Sequence, residues 1–368
     1  MTRQLIEATD EEVALEWLHD NGRTDGLPVV IPTAARVDRM VLASGIDGSL
    51  DVGPMGPGNG ATTIEAIATN AVMAGCRPDD MPVVLATVQA IMQTPFDLTE
   101  VQGTTHSIAP LSIVCGPIAE TLGISSGFGA LGPGHRANAS IGRAVRLCMM
   151  NIGGARPGVS DMALLGHGGK FSFCMAEDTV SSPWEPLHTS LGYAAEDSAV
   201  IVVGTEAPHS AVFVADADDP TSTDRLLDTV AAVIANVGSN NAYFRCGSVA
   251  VAFNPEHVGV LEAAELSRSD VQQQLFERAT NTRATLARLN PAFAGRGQPD
   301  DTIRAVADPN DLLVFVAGGP GLYTSVFPSW GAGGHNNPIV SHPITTDLAC
   351  EIPTLAPDHA SPSNGATP

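Results

Sequence analysis

Ser248-Val-Ala-Val-Ala-Phe253 is the run on which the fold reading turns. It is uncharged and rich in β-branched and aromatic residues, so it reads as a strand. Pro255–Ala264 follows at once as a helix. Ser267–Thr282 reads as a second, and Ser267-Arg-Ser-Asp270 gives it a capping-box start. Asp311–Val316 reads as another buried-type strand, ending in Gly318-Gly319, and Leu312–Phe327 as a strand–Gly-Gly–helix segment. Upstream, Ala199–Val203 and Ala211–Ala215 read as strands and Thr223–Val237 as an amphipathic helix. Strands alternating with helices predict an α/β chain: a mixed or mostly parallel sheet with flanking helices, in one body or two lobes.

The first half is more helical. Thr9-Asp-Glu-Glu12 reads as a capping box for a helix through His19, which Asn21-Gly22 ends. Ala34–Ser44 has helical periodicity. Thr62-Thr-Ile-Glu65 opens a helix that stops at Gly75, and Asp79-Asp80 starts the next. Gly53–Gly60 reads as a Pro/Gly loop near a ligand or interface. Leu111–Cys115 and Phe171–Met175 are strand candidates. Arg136–Met150 is a helix with Ile141, Val145 and Cys148 on its apolar side. A composition shift near Tyr193–Ala199 suggests a Gly/His/Cys-rich lobe over 1–195 and an α/β lobe over 196–350. The Pro/Ser/Ala tail of 351–368 is expected to be disordered.

Composition narrows the function. The net charge of −22 disfavours nucleic acid and anionic membrane surfaces, which attract basic patches. No apolar run is long enough to predict a membrane span. The start lacks the basic-then-apolar shape of a signal peptide. The six cysteines form no CxxC pair, which fits reduced thiols in a cytoplasm.

The candidate chemistry gathers between Gly103 and His188, which holds four of the ten histidines and three of the six cysteines. Glycine loses the most backbone freedom on folding, so loops dense in Gly, His and Cys are costly to order and mark a site. His106 precedes a strand. His135, Arg136 and Asn138 open a helix, whose N-terminus suits an anion. His167 and Lys170 lie in Gly-His-Gly-Gly-Lys, followed by Cys174, Glu177, Trp184-Glu185 and His188. Histidine, thiol and carboxylate together suit acid–base work or a divalent metal, although no HExxH or CxxC…CxxC spacing appears. Cys76 sits on a helix–helix corner beside Arg77, a position that would stabilise a thiolate. Gly318, Gly319 and His335 lie in late glycine turns, where α/β sheets often bind ligands. The glycine runs contain no nucleotide-binding pattern.

Asn70-Ala-Val-Met-Ala-Gly-Cys-Arg-Pro78, Thr104-Thr-His106, Asn151-Ile-Gly-Gly-Ala-Arg-Pro157 and Ser182-Pro-Trp-Glu-Pro-Leu-His188 carry a resemblance. They resemble an uncharacterised bacterial family found near thioredoxin-like Sec/Cys-Gly-Ser-Cys proteins, over about Asp25 to Pro343. That resemblance implies no particular activity, and Cys246-Gly-Ser-Val249 departs from Cys-Gly-Ser-Cys at its last position.

The residues together predict an enzyme acting on a small polar or anionic molecule. Its reaction would be hydrolysis or elimination run by Cys/His/Glu chemistry, with or without a divalent metal. Cys76, His106, His167, Cys174, Glu177, Glu185 and His188 would be catalytic. Arg77, His135, Arg136, Asn138, Lys170, Trp184, Gly318, Gly319 and His335 would bind substrate. A homo-oligomer is expected. The alternative is a non-catalytic partner or scaffold subunit in a redox or biosynthetic system. The enzyme reading requires at least three of His106, His167, Cys174 and His188 to converge, which in turn requires the strands after His106 and His167 to run parallel, or the sheet to be irregular.

Overall fold

The computed structural model describes residues 5–216, 218–294, 301–331 and 336–345. His335 and the tail of 351–368 lie outside the described residues.

The chain begins with helices α1 (Glu11–Asp20) and α2 (Ala34–Ser44), a hairpin of β1 (Asp51–Met55) and β2 (Gly60–Thr63), and α3 (Ile64–Ala74). Then come α4 (Met81–Ile91), α5 (Leu98–Gly103), β3 (Ala109–Cys115), α6 (Ile118–Leu122), α7 (Arg136–Asn151), β4 (Cys174–Ala176) and α8 (Leu187–Ser190). The middle is β5 (Ala199–Thr205), β6 (His209–Val212), α9 (Ser222–Ile234), α10 (Asn240–Phe244), β7 (Val249–Phe253), α11 (Pro255–Ala263) and α12 (Arg268–Arg278). The last part is β8 (Thr280–Thr282), α13 (Arg283–Leu289), β9 (Thr302–Arg304), β10 (Leu312–Val316), β11 (Tyr323–Phe327) and β12 (Val340–Pro343).

Two four-stranded mixed sheets form the centre. The first runs β12-β5-β3-β4 and is parallel only between β3 and β4. The second runs β10-β7-β11-β6 and is parallel only between β10 and β7. Successive strand residues point to opposite faces, and the cores follow that alternation. In the first sheet Leu111, Ile113, Ile201 and Val203 face inward, and in the second Ala250, Ala252, Leu313 and Phe315 meet them. The opposite residues Val114, Val200 and Val202 pack under α2, α3, α4 and α7. Val249, Val251, Phe253, Leu312, Val314 and Val316 pack under α9, α11 and α12. The result is a four-layer helix–sheet–sheet–helix sandwich. Strands covered on both faces read as continuous apolar runs, as Ser248–Phe253 does.

Several boundaries differ from expectation. The segment after Gly318-Gly319 is strand β11, not a helix; Tyr-Thr-Ser-Val-Phe alternates and pairs with both β6 and β7. The first sheet takes strands from both sides of residue 195. β5 begins just beyond it and pairs with β3 from Ala199↔Cys115 to Thr205↔Ala109, while β12 from the chain's far end adds to the same sheet. The Gly53–Gly60 segment is mostly hairpin, and its turn packs on the end of α7, where Gly58 N donates to Gly153 O at 2.7 Å. Asp10 and Thr63, rather than Thr9 and Thr62, are the N-caps, accepting from Val13 N and Ala66 N. The Ser267–Asp270 capping box forms as expected, but its helix stops at Arg278 so that β8 can pair with β9.

Candidate functional site

The β3–β4 pair is parallel, so the segments preceding both strands reach the same end of the first sheet. Antiparallel β5 finishes there and delivers Glu206. His106 Nε2 lies 2.8 Å from Glu206 Oε1. His167 Nδ1 accepts from Gly169 N at 3.0 Å, and its ring meets Phe173 edge-on with centroids 5.6 Å apart. Its Nε2 is buried and lacks a well-formed hydrogen bond. Burial, reinforced by the charge on Lys170, pushes the His167 imidazole down to about 4, so it is neutral at pH 7.

Lys170 Nζ sits 3.1 Å from Asp161 Oδ1 and donates to Ile108 O at 3.2 Å. Arg146 Nη2 donates to Asp161 Oδ2 at 2.6 Å, and its Nη1 to Gln102 Oε1 at 3.0 Å. All three charged side chains are almost fully buried. Burial lowers the Lys170 ammonium, with Asp161 opposing. Burial alone would raise the Asp161 carboxyl, but Arg146 and Lys170 together hold it below its ordinary value.

Gly142 explains how α7 reaches this cluster. A Cβ at that position would lie 2.4 Å from Ser172 Oγ and 2.6 Å from Phe173 N. Only glycine lets the helix lie so close to the segment entering β4. Arg146 stands four residues further along, on the same face of the helix, and so is carried to Asp161 and Lys170.

Arg146, Asp161, His167 and Lys170 line a cavity of about 360 Å³, with Leu165 and Phe171 as apolar wall. Asp25 at its rim is held by Arg143 through two bonds of 2.7 and 2.8 Å. Two cations therefore face one carboxylate within the cavity, and the remaining carboxylate has its own cation. With Glu206 beside His106 also counted, three formal cations and three carboxylates balance here, in a protein whose net charge is −22.

The other expected site residues fall into separate places. Cys76, Cys174 and Arg136 gather around the buried Asp80, with Cys148 nearby. Arg136 Nη1 donates to Asp80 Oδ2 at 2.7 Å, as does Arg77 N. Burial, and secondarily the Asp80 charge, pushes the Cys76 and Cys174 thiols up, the second to about 12. Arg136 was the expected anion holder, but Asp80 occupies it. The adjacent arginine side chain does not activate Cys76 either, because desolvation outweighs the charges around it.

Glu177 and His188 form another group. Both Glu177 oxygens accept from Leu187 N, and Arg268 Nη2 lies 3.5 Å away. Burial raises the Glu177 carboxyl, against the Leu187 N–H and Arg268. His188 is 1% exposed and Arg268 lies over the Trp184 ring, while the Glu185 carboxylate is taken by Thr189 Oγ1. This group straps Trp184–His188 across the sheets.

Asn138, His135, Gly318 and Gly319 surround the Ser125–Ala130 loop. Asn138 bonds Ser125 N, Ser125 O and Ala130 O; His135 Nε2 bonds Phe128 O; Gly318 N donates to Ser126 O. A Cβ at Gly319 would strike the Phe128 ring at 2.1 Å, so glycine there admits the Phe128 side chain.

The fold thus unites His106, His167 and Lys170, and separates them from Cys174 and His188, so the four-residue site expected from the sequence does not form and that support for the enzyme reading is lost. It adds Arg146, Asp161 and Glu206, which sequence reasoning missed. Arg146 carried a usable signal: a charged residue beside Val145 on the buried side of a helix needs a partner.

Among the described residues, no three His, Cys, Asp or Glu side chains gather as a group that could hold a metal. Nor is any described helix long and apolar enough to cross a membrane. The chain matches no protein-family model, and neither characterised proteins nor solved structures gave a match.

Proposed function

We propose that the protein is an enzyme that binds a small anionic molecule, a carboxylate or phosphate, in the Arg146–Lys170 cavity and moves a proton on it during hydrolysis or elimination. The observation that carries this reading is the sharing of one buried carboxylate by two buried cations on a concave wall. An entering anion would complete their pairing, with the planar Arg146 fork orienting it and Lys170 acting as a mobile point charge. His167 is neutral at pH 7, with its proton on Nε2 because Nδ1 accepts from Gly169 N, so it accepts a further proton only when Nδ1 releases that N–H; an anion at Lys170 would raise its basicity. The cysteines are left out of this chemistry because burial keeps them as thiols.

A second reading is favoured by one observation: every member of the Arg146–Asp161–Lys170 triad is already bonded. The triad would then tether the segment carrying Asp161 and Lys170 to α7 in a non-catalytic partner subunit. Thermal denaturation with phosphate, sulfate and a series of mono- to tricarboxylates separates the two readings. The enzyme reading expects saturable stabilisation by one class of anion, about 2.7 kcal/mol at a hundredfold excess over its Kd. That stabilisation should vanish in Lys170→Met. The tether reading expects only a general salt response, the same in both proteins.

A further inference from the structure

A larger cavity, of about 880 Å³, lies away from that site at the open edge of the sandwich. Two edge strands line it. Among the described residues β10 pairs only with β7, and β12 only with β5, so each offers backbone groups on its unpaired side. Side-chain amides hold one carbonyl on each edge: Gln272 Nε2 donates to Leu312 O at 2.6 Å, and Gln93 Nε2 to Ser341 O at 2.7 Å.

The polar groups here are unequally satisfied. Ser248 is 1% exposed, lines the cavity, and its Oγ has no hydrogen-bond partner. The Arg268 side chain is 10% exposed and also lines the cavity. Its Nη2 bonds Glu185 O at 2.6 Å, but its Nε has no partner. A buried polar group without a partner costs about 1–3 kcal/mol. Two in one cavity point to a ligand that accepts hydrogen bonds. Toward the mouth, Glu262, Glu265 and Asp311 have no ion-pair partner among the described residues. Burial, with Asp308 nearby, raises the Asp311 carboxyl. Leu187, Leu191, Leu266 and Ile339 supply apolar wall.

We infer that this cavity binds a short extended peptide, its free amino end among Glu262, Glu265 and Asp311 and its carbonyls toward Ser248 and Arg268. Each part of such a ligand meets a feature present here. The ammonium group meets unpaired carboxylates, the main chain meets two sheet edges, and apolar side chains meet leucine and isoleucine. Adding a strand to a sheet edge is a general mode of peptide recognition, with affinity from the main chain and selectivity from side-chain pockets. The volume lies within the range of ligand cavities, about 300–1,000 Å³. The inference is independent of the anion site.

The test is calorimetric titration of the full chain with Leu-Ala-Leu amide and with its N-acetyl form. The free-amine peptide is expected to bind saturably at one site, and acetylation to weaken it roughly tenfold or more. Asp311→Asn removes an unpaired carboxylate and should leave the fold intact while losing that preference. Ser248→Ala, at the inner wall, should weaken both peptides alike. Absence of saturable binding, equal binding of the two peptides, or displacement by spermidine at equal affinity would each overturn the inference. The last of these would leave only a general site for organic cations.

Discussion

Lys170 and Arg146 meet on opposite oxygens of one carboxylate: Lys170 Nζ lies 3.1 Å from Asp161 Oδ1, and Arg146 Nη2 lies 2.6 Å from Oδ2. The two cations come from different elements, a 3-10 turn at Gly168–Lys170 before β4 and the middle of α7. Asp161, 3% exposed, is the group that makes their proximity tolerable. Removing its charge leaves two buried cations facing each other. Asp161→Asn is therefore expected to cost about 3–5 kcal/mol, and Lys170→Met less, because the Arg146–Asp161 pair survives. Urea denaturation of the two variants checks the order; an Asp161→Asn protein as stable as the parent would contradict it.

Stability should depend on pH through His167. Its folded value is about 4, against about 6.5 for an unfolded histidine. Between those values the unfolded chain binds more protons, so stability rises with pH from about 4 to about 6.5 and flattens above. His257, also lowered by burial and bonded to Thr324 Oγ1 and Phe213 O, adds to the same slope. His167→Gln should therefore reduce the slope without abolishing it, as read from urea midpoints at pH 5 and pH 7. An unchanged slope would mean that burial does not lower the His167 value and that it titrates alike in the folded and unfolded chains.

The thiols should be slow. Cys148, pushed well up by burial, and Cys174 are expected to resist iodoacetamide at pH 8 until the chain is unfolded. Cys76 should react more slowly than free cysteine, because burial and Asp80 both disfavour its thiolate. Mass mapping of the labelled sites checks this. Rapid labelling of Cys76 would restore it as a nucleophile.

Gly142→Ala should loosen the anion site without touching it. The new methyl meets Ser172 Oγ and the Phe173 backbone, so α7 must move away from the entry to β4. The expected cost is about 1–3 kcal/mol, with weaker anion binding because Arg146 moves with the helix. Gly259→Ala in α11, where a Cβ meets nothing within 4 Å, is the control. It should be neutral or stabilising by about 0.5–1 kcal/mol.

Local signals carried much of this fold. α2 has the bounds its periodicity predicts, Ala34–Ser44, because Thr33 caps its start and Gly45 adopts the left-handed conformation at its end. β7 and β10 are uncharged apolar runs because helices and a second sheet cover both faces. The two-sheet layering was not legible, since it depends on which alternate residues of β3, β5, β7 and β10 meet across the centre. β11 misled because short polar-apolar runs after a glycine pair suit either a helix or a strand. The anion site was half legible. His106, His167 and Lys170 stood out in glycine-rich surroundings, whereas Asp161 and Glu206 look like ordinary loop acids until α7 brings Arg146 to the first and β5 carries the second to His106.

The central claim is that an anion at Arg146 and Lys170 undergoes proton transfer. Proton NMR in deuterium oxide addresses it most directly. The full chain is incubated at pH 7 with a mixture of small carboxylates and phosphate esters, and each carbon-bound proton signal is followed over time. The account predicts that one chemical class exchanges its acidic C–H proton or is converted, and that Lys170→Met and His167→Gln each abolish the change. An unchanged mixture, while the same anions saturate the cavity by thermal shift, would contradict the enzymatic claim and leave a binding site alone. Exchange that persists unchanged in Lys170→Met would contradict the placement of the site.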